Sequence, residues 1–292
     1  MQGGCAAPST LRAADLLPVP PVEDTISSSS PRPARPSTGR PVVRWFRAEG
    51  SREHPADAPV FVLVHGVGLS HRSFSRLADA LVAHGTVLAA DLPGFGRSPG
   101  PGRRLSIPQL AEALLPRLDA LASAPLAGPV VLVGHSLGAQ VVVEVALRRP
   151  DAVAGVVLVG PVVDRRAPSL VGQGRRLALD MLGEPPLTGA MVTRDYLRGG
   201  PLSYAAGTRS MLRHRIDERL PGLAAPLLVL RGRHDPVAPA RWADELVALV
   251  ADGEARDVPA AVHNVVHSRA EEVGREVVDF ARRCCAGAVS QV

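Results

Sequence analysis

Ser136 lies in Gly134-His-Ser-Leu-Gly138, directly after the apolar run Val130–Val133 and directly before Leu137–Arg148, a stretch with helical spacing. A serine between a buried strand and a helix, with glycines two residues away on each side, has the pattern of a nucleophile held out on a sharp turn. The glycines are required because a β-carbon at either position would strike the neighbouring strand or helix. A helix N-cap is the competing role for such a serine, and the Val/Leu strand immediately before it favours the nucleophile.

Acyl transfer through a serine also needs two converging backbone N–H donors for the oxyanion. Leu137, the residue after the serine, offers one, and Val67 in His65-Gly-Val-Gly68, directly after the apolar run Val60–Val64, offers the other. His65 reads as a brace for that loop rather than as a base, because it precedes the expected cavity. With this turn the orienting acid and then the base follow the serine in the chain. Asp235, in Arg231-Gly-Arg-His-Asp-Pro-Val237, follows a strand-like run and is the expected acid; as a residue before Pro236 it also suits a plain turn. His263 and His267 compete for the base. His263 follows a predicted strand by a short loop, whereas His267 adjoins Ser268-Arg-Ala-Glu271, which reads as a capping box for the last helix, so His263 is the expected base. His234 reads as structural.

Such residues act together only if strand ends bring them together. After Pro41, short β-branched runs alternate with helical stretches, the pattern of a parallel sheet covered by helices. Strands are expected at 42–47, 59–64, 87–90, 130–134, 153–159, 227–231 and 255–258, and helices at 74–83, 107–122, 137–148, 240–250 and 271–285. About 65 residues, Pro161–Ala225, interrupt this rhythm. An inserted helical cap explains them better than a loop of that length, and Leu177, Leu179, Met181 and Leu182 are spaced for helix. The expected organisation is therefore a Pro/Ser/Arg-rich disordered tail over 1–40, a core formed by 41–160 and 226–286, a cap over 161–225 and a flexible end over 287–292. The tail lacks the continuous apolar stretch of a secretory signal, so the cytoplasm is the expected compartment.

Composition narrows the function. The sequence isoelectric point is about 10.0, yet the 33 basic residues are all arginine and are interleaved with Asp and Glu. Diffuse charge of this kind argues against a nucleic-acid partner. No apolar run approaches the roughly 18 residues of a membrane span. Cys5 and the adjacent Cys284 and Cys285 have neither a disulfide nor a metal spacing, with one of the helical pair expected half-buried and the other exposed. No cofactor or metal is called for.

Taken in order, these motifs resemble the α/β-hydrolase fold family from Pro41 to Phe280. His65–Gly68 is similar to its oxyanion loop, Asp91-Leu-Pro-Gly-Phe-Gly-Arg-Ser98 to its strand-end turn, Gly134–Gly138 to its elbow, Gly232–Val237 to its acid loop, and His263–Glu272 to its histidine loop. Val262 departs from the proline or small residue usual before the histidine. The resemblance implies a mostly parallel sheet with helices on both faces and an inserted cap. It also implies a serine hydrolase acting on a carboxylic ester or related acyl substrate, and Ser136 in place of a carboxylate argues against the branches that form alkyl-enzyme esters. The alternatives are C–C bond hydrolysis of ring-cleavage products with the same three residues, and a binding module that keeps the fold without turnover. Met181, Met191, Met211, Tyr196 and Tyr204 all fall in the inserted segment and are candidates for an adaptable apolar pocket.

Overall fold

From Arg44 onward the alternating runs become strands and helices of one sheet in a computed structural model, which describes residues 16–20, 41–48, 54–55, 57–123, 128–166, 172, 176 and 183–289. The strands are β1 (Leu16–Val19), β2 (Arg44–Ala48), β3 (Val60–Val64), β4 (Thr86–Asp91), β5 (Val130–His135), β6 (Val153–Val159), β7 (Leu227–Gly232) and β8 (Gly253–Val258). They lie in the order β1-β2-β4-β3-β5-β6-β7-β8. The first two are antiparallel additions, and every pairing from β4 to β8 is parallel. The helices are α1 (Ser75–Leu81), α2 (Ile107–Ala122), α3 (Leu137–Arg148), α4 (Pro186–Arg213), α5 (Ile216–Arg219), α6 (Ala240–Val247), α7 (Val265–Ser268) and α8 (Ala270–Val289).

Parallel strands buried on both faces need apolar residues at every position, and β3 and the Val130–Val133 part of β5 have them. Phe61, Leu63, Val131 and Val133 pack with α1 and α8, while Val62, Val64 and Leu132 pack with α2, α3 and α6 on the opposite face. Helix α2 starts where a capping box sets it: the Ser106 hydroxyl accepts from the Gln109 amide, and the Gln109 side chain accepts from the Ser106 amide.

Three sequence expectations change, and the cap gains detail. Leu16–Val19, expected within an unstructured tail, forms β1 and pairs with β2; Pro18 broke the alternation that would have marked it, and an edge strand tolerates proline. Helix α4 is two helices joined at Gly200, whose φ of 74° and following Pro201 break the backbone ladder. Ser268 does not cap the last helix, since its hydroxyl donates to the Asn264 carbonyl within the separate one-turn α7. Cys284 and Cys285 are both partly buried, and burial raises the Cys284 thiol to about 11. The helix expected around Leu177–Leu182 lies outside the described residues.

Candidate active site

The loops after β3, β5, β6 and β7 leave the same edge of the sheet, the carboxyl ends of parallel strands where α/β folds place ligands. Ser136 follows β5 with φ 55° and ψ −117°, left-handed backbone that non-glycine residues rarely adopt. Its hydroxyl makes no capping hydrogen bond, although the residue occupies the N-cap position of α3. The flanking glycines are needed for close approach: a β-carbon at Gly134 would lie 2.4 Å from the Gly138 carbonyl oxygen, and one at Gly138 would lie 2.0 Å from that of Val64. The Ser136 amide is anchored to the Val159 carbonyl at 2.9 Å.

His65 braces the loop after β3 as expected. Its Nε2 accepts from the Leu92 amide at 3.1 Å, so its Nδ1 carries the proton and donates to the Gly66 carbonyl at 2.8 Å. Burial lowers its pKa and keeps the ring neutral. Val67, two residues on, makes no backbone hydrogen bond through its amide among the described residues. Leu137 is the first residue of α3, where an amide has no intrahelical acceptor.

Asp235 and His263 meet although 28 residues apart. Nδ1 of His263 donates to Oδ2 of Asp235 at 2.8 Å, while Oδ1 accepts the Val237 and Ala238 amides at 2.7 and 3.0 Å. Burial pushes the Asp235 carboxyl up, but the charge and hydrogen bond of His263 and the two amides outweigh it and hold it below the usual range. His267 stands elsewhere, its Nδ1 3.0 Å from the Thr188 hydroxyl of α4, and burial lowers it to about 4. The departure at Val262 is accommodated by the inserted segment, where a β-carbon on Gly183 would come within 2.8 Å of a Val262 methyl.

Four further residues shape this corner. His135, the fully buried residue before Ser136, donates from Nε2 to the His263 carbonyl at 3.1 Å; burial lowers its pKa to about 3. Glu184 of the inserted segment accepts from both the backbone and the side-chain N–H groups of Asn264, at 2.9 and 2.8 Å. Gly160 ends β6 with φ 55°, and a β-carbon there would lie 3.0 Å from His263 Nδ1 and 3.3 Å from Asp235 Oδ2. Arg231 fixes the acid loop by donating to the Ala238 and Arg233 carbonyls at 2.6 and 3.0 Å. Arg231 acts within its own loop, but the groups that His135, Glu184 and Gly160 meet are remote in sequence, so no local pattern marks those three residues.

Ser136 and His263 open on one cavity of about 230 Å³. Its walls include Val67 after β3, Val162 just after β6, and Tyr196, Tyr204, Thr208 and Met211 from α4. Met191 is not on this wall, and Met181 is outside the described residues. Among the described residues no cluster of three or more His, Cys, Asp or Glu is placed to hold a metal. No helix among them is long and apolar enough to cross a membrane.

The model of the alpha/beta hydrolase family matches residues 61–276, more than half of the chain, and the chain belongs to that family. It is 28% identical over 275 residues to a dihydrolipoyllysine-residue acetyltransferase component of the acetoin cleaving system of Pseudomonas putida, covering 88% of this chain and 71% of that protein. It is also 28% identical to a pimeloyl-[acyl-carrier protein] methyl ester esterase of Vibrio cholerae, covering 76% of this chain and 94% of that one. Among solved structures, the enol-lactonase from Burkholderia xenovorans shares the fold with a TM-score of 0.68 at 24% identity, over 82% of this chain and 97% of its own.

Proposed function

We propose that the protein is a serine hydrolase that cleaves a small carboxylic ester through an acyl-enzyme. Ser136 is the nucleophile, His263 the general base and Asp235 its orienting acid. The observation that carries this reading is the buried 2.8 Å contact between Asp235 and His263 beside the cavity onto which Ser136 also opens.

Asp235 fixes the imidazole with its proton on Nδ1, which leaves Nε2 to take the proton from Ser136 Oγ as that oxygen attacks the ester carbonyl. The oxyanion is held by the Val67 and Leu137 amides, and the N-terminus of α3 favours the same negative charge. Imidazolium His263 then protonates the departing alcohol. A water molecule, deprotonated by the same ring, releases the acid and restores Ser136.

The inserted segment acts as a cap, and the mostly aliphatic and aromatic cavity beneath it suits a short apolar acyl group. The methyl ester esterase relative supports ester chemistry over C–C cleavage. The test is a series of p-nitrophenyl esters of increasing acyl length given to the wild type and to Ser136→Ala. Short esters should turn over fastest, and the substitution should lower kcat by at least about 10³-fold. Wild-type rates in Ser136→Ala would remove Ser136 from the mechanism.

A further inference from the structure

Glu184 stands out among the buried groups that the proposed chemistry does not use. It belongs to the inserted segment, yet its Oε1 accepts both N–H groups of Asn264, the residue after His263. Those bonds need only an acceptor, and a glutamine carbonyl would supply one. A glutamate adds its second oxygen and a negative charge. Oε2 is buried without a hydrogen-bond partner among the described residues, so the charge is not used for an ion pair. His263 lies within electrostatic reach of it. We propose that Glu184 is a positioning residue for His263: it fixes the histidine loop from the inserted segment and sets the proton affinity of the ring through its charge. This rests on the assignment of His263 as base.

The charged and titratable groups near His263 include Asp235 at Nδ1, Glu184 across Asn264, and His135, whose ring centroid lies 5.1 Å from that of His263. His135 is held neutral by burial, with a pKa of about 3. The negative charges among these groups are the two carboxylates. When His263 takes the Ser136 proton, the new N–H bond makes an imidazolium. Asp235 stabilises it through a hydrogen bond, and Glu184 through space. Burial, aided by the Asp235 charge, opposes ionisation of Glu184 and raises its own pKa. The arrangement also links the inserted segment to turnover, because a displaced segment withdraws the acceptor from Asn264 and frees the histidine loop.

The test is the pH profile of kcat/KM on p-nitrophenyl acetate for wild type, Glu184→Gln, Glu184→Ala and His263→Ala. In Glu184→Gln the acceptor survives and the charge is lost, so the plateau rate should stay within about threefold. The acid limb should move to lower pH by about half a unit or more, since removing a nearby negative charge makes imidazolium easier to deprotonate. Glu184→Ala loses the anchor as well, and its kcat should fall about tenfold or more with little change in KM. An acid limb unmoved in Glu184→Gln overturns the inference even if Glu184→Ala fails to fold, and so does wild-type kcat in a folded Glu184→Ala. Turnover surviving in His263→Ala would instead overturn the assignment of the base, so the two failures are distinguishable.

Discussion

Gly160 puts the geometry of the candidate site to a single-atom test. The His263–Asp235 pair lies against its bare α-carbon, and the φ of 55° disfavours any side chain there. Gly160→Ala should lower kcat on the order of 10- to 100-fold by shifting the imidazole, with a circular dichroism spectrum like that of wild type. Unchanged kcat in the folded variant would show that the pair is not where turnover occurs. The two candidate histidines separate in the same assay. His267 reaches Thr188 rather than Asp235, so His267→Ala should keep kcat within about tenfold, whereas His263→Ala should lose at least about 10³-fold. The residues that sequence reasoning singled out were those whose neighbours encode their geometry. Ser136 is marked by Gly134 and Gly138, and Val67 by Gly66 and Gly68. Glu184, Gly160 and the His135 contact with His263 depend on chain segments far apart in sequence, and nothing local distinguishes them from an ordinary glutamate, glycine or histidine.

At the scale of elements, the inserted segment is tied to the core by charge as well as by apolar contact. Asp164, fully buried near the start of the segment, accepts from Arg176 of the same segment at 3.1 Å and from Arg241 of α6 in the core. The two arginines outweigh the burial cost and hold the carboxyl below its usual range. Removing the carboxylate leaves both guanidinium groups unpaired, although each is partly solvated. Asp164→Asn should therefore cost about 2 kcal/mol in urea unfolding, and a loss under about 0.5 kcal/mol would show that the network is idle. Periodicity revealed the elements themselves well: the bounds expected for α2, α3 and β6 coincide with those observed. Where it failed, the local signal was ambiguous. Pro18 hid β1, and the serine and glutamate near His267 imitated a cap that the separate helix α7 replaces.

Across the whole molecule, several histidines are buried in their neutral form, and this sets the response to acid. His135 falls to about 3 and His267 to about 4 from a usual 6.5, in both cases chiefly through burial. Below pH 6.5 the unfolded chain binds protons that these folded sites refuse, so stability rises with pH in this range and is lost as pH falls from about 6.5 towards 4 and then 3. The carboxylates act lower down. Glu144, which burial raises but His214, Arg148 and Arg219 bring down to about 2, loses its contribution only as pH drops below about 4.5. Glu184, raised by burial, has the opposite sign and offsets part of the loss. Urea unfolding should show a clear decline in stability between pH 7 and 5, and His267→Gln should flatten that slope by about 1 kcal/mol. A slope unchanged by the substitution would mean that the ring is not buried neutral.

The central claim, that Ser136 is the nucleophile, is tested most directly by a fluorophosphonate that reacts only with an activated serine, followed by peptide mapping. One adduct per chain is expected, on the peptide carrying Ser136, with activity lost in proportion to labelling. Full labelling of Ser136 with activity intact, or an inactivating adduct on another residue, would contradict it.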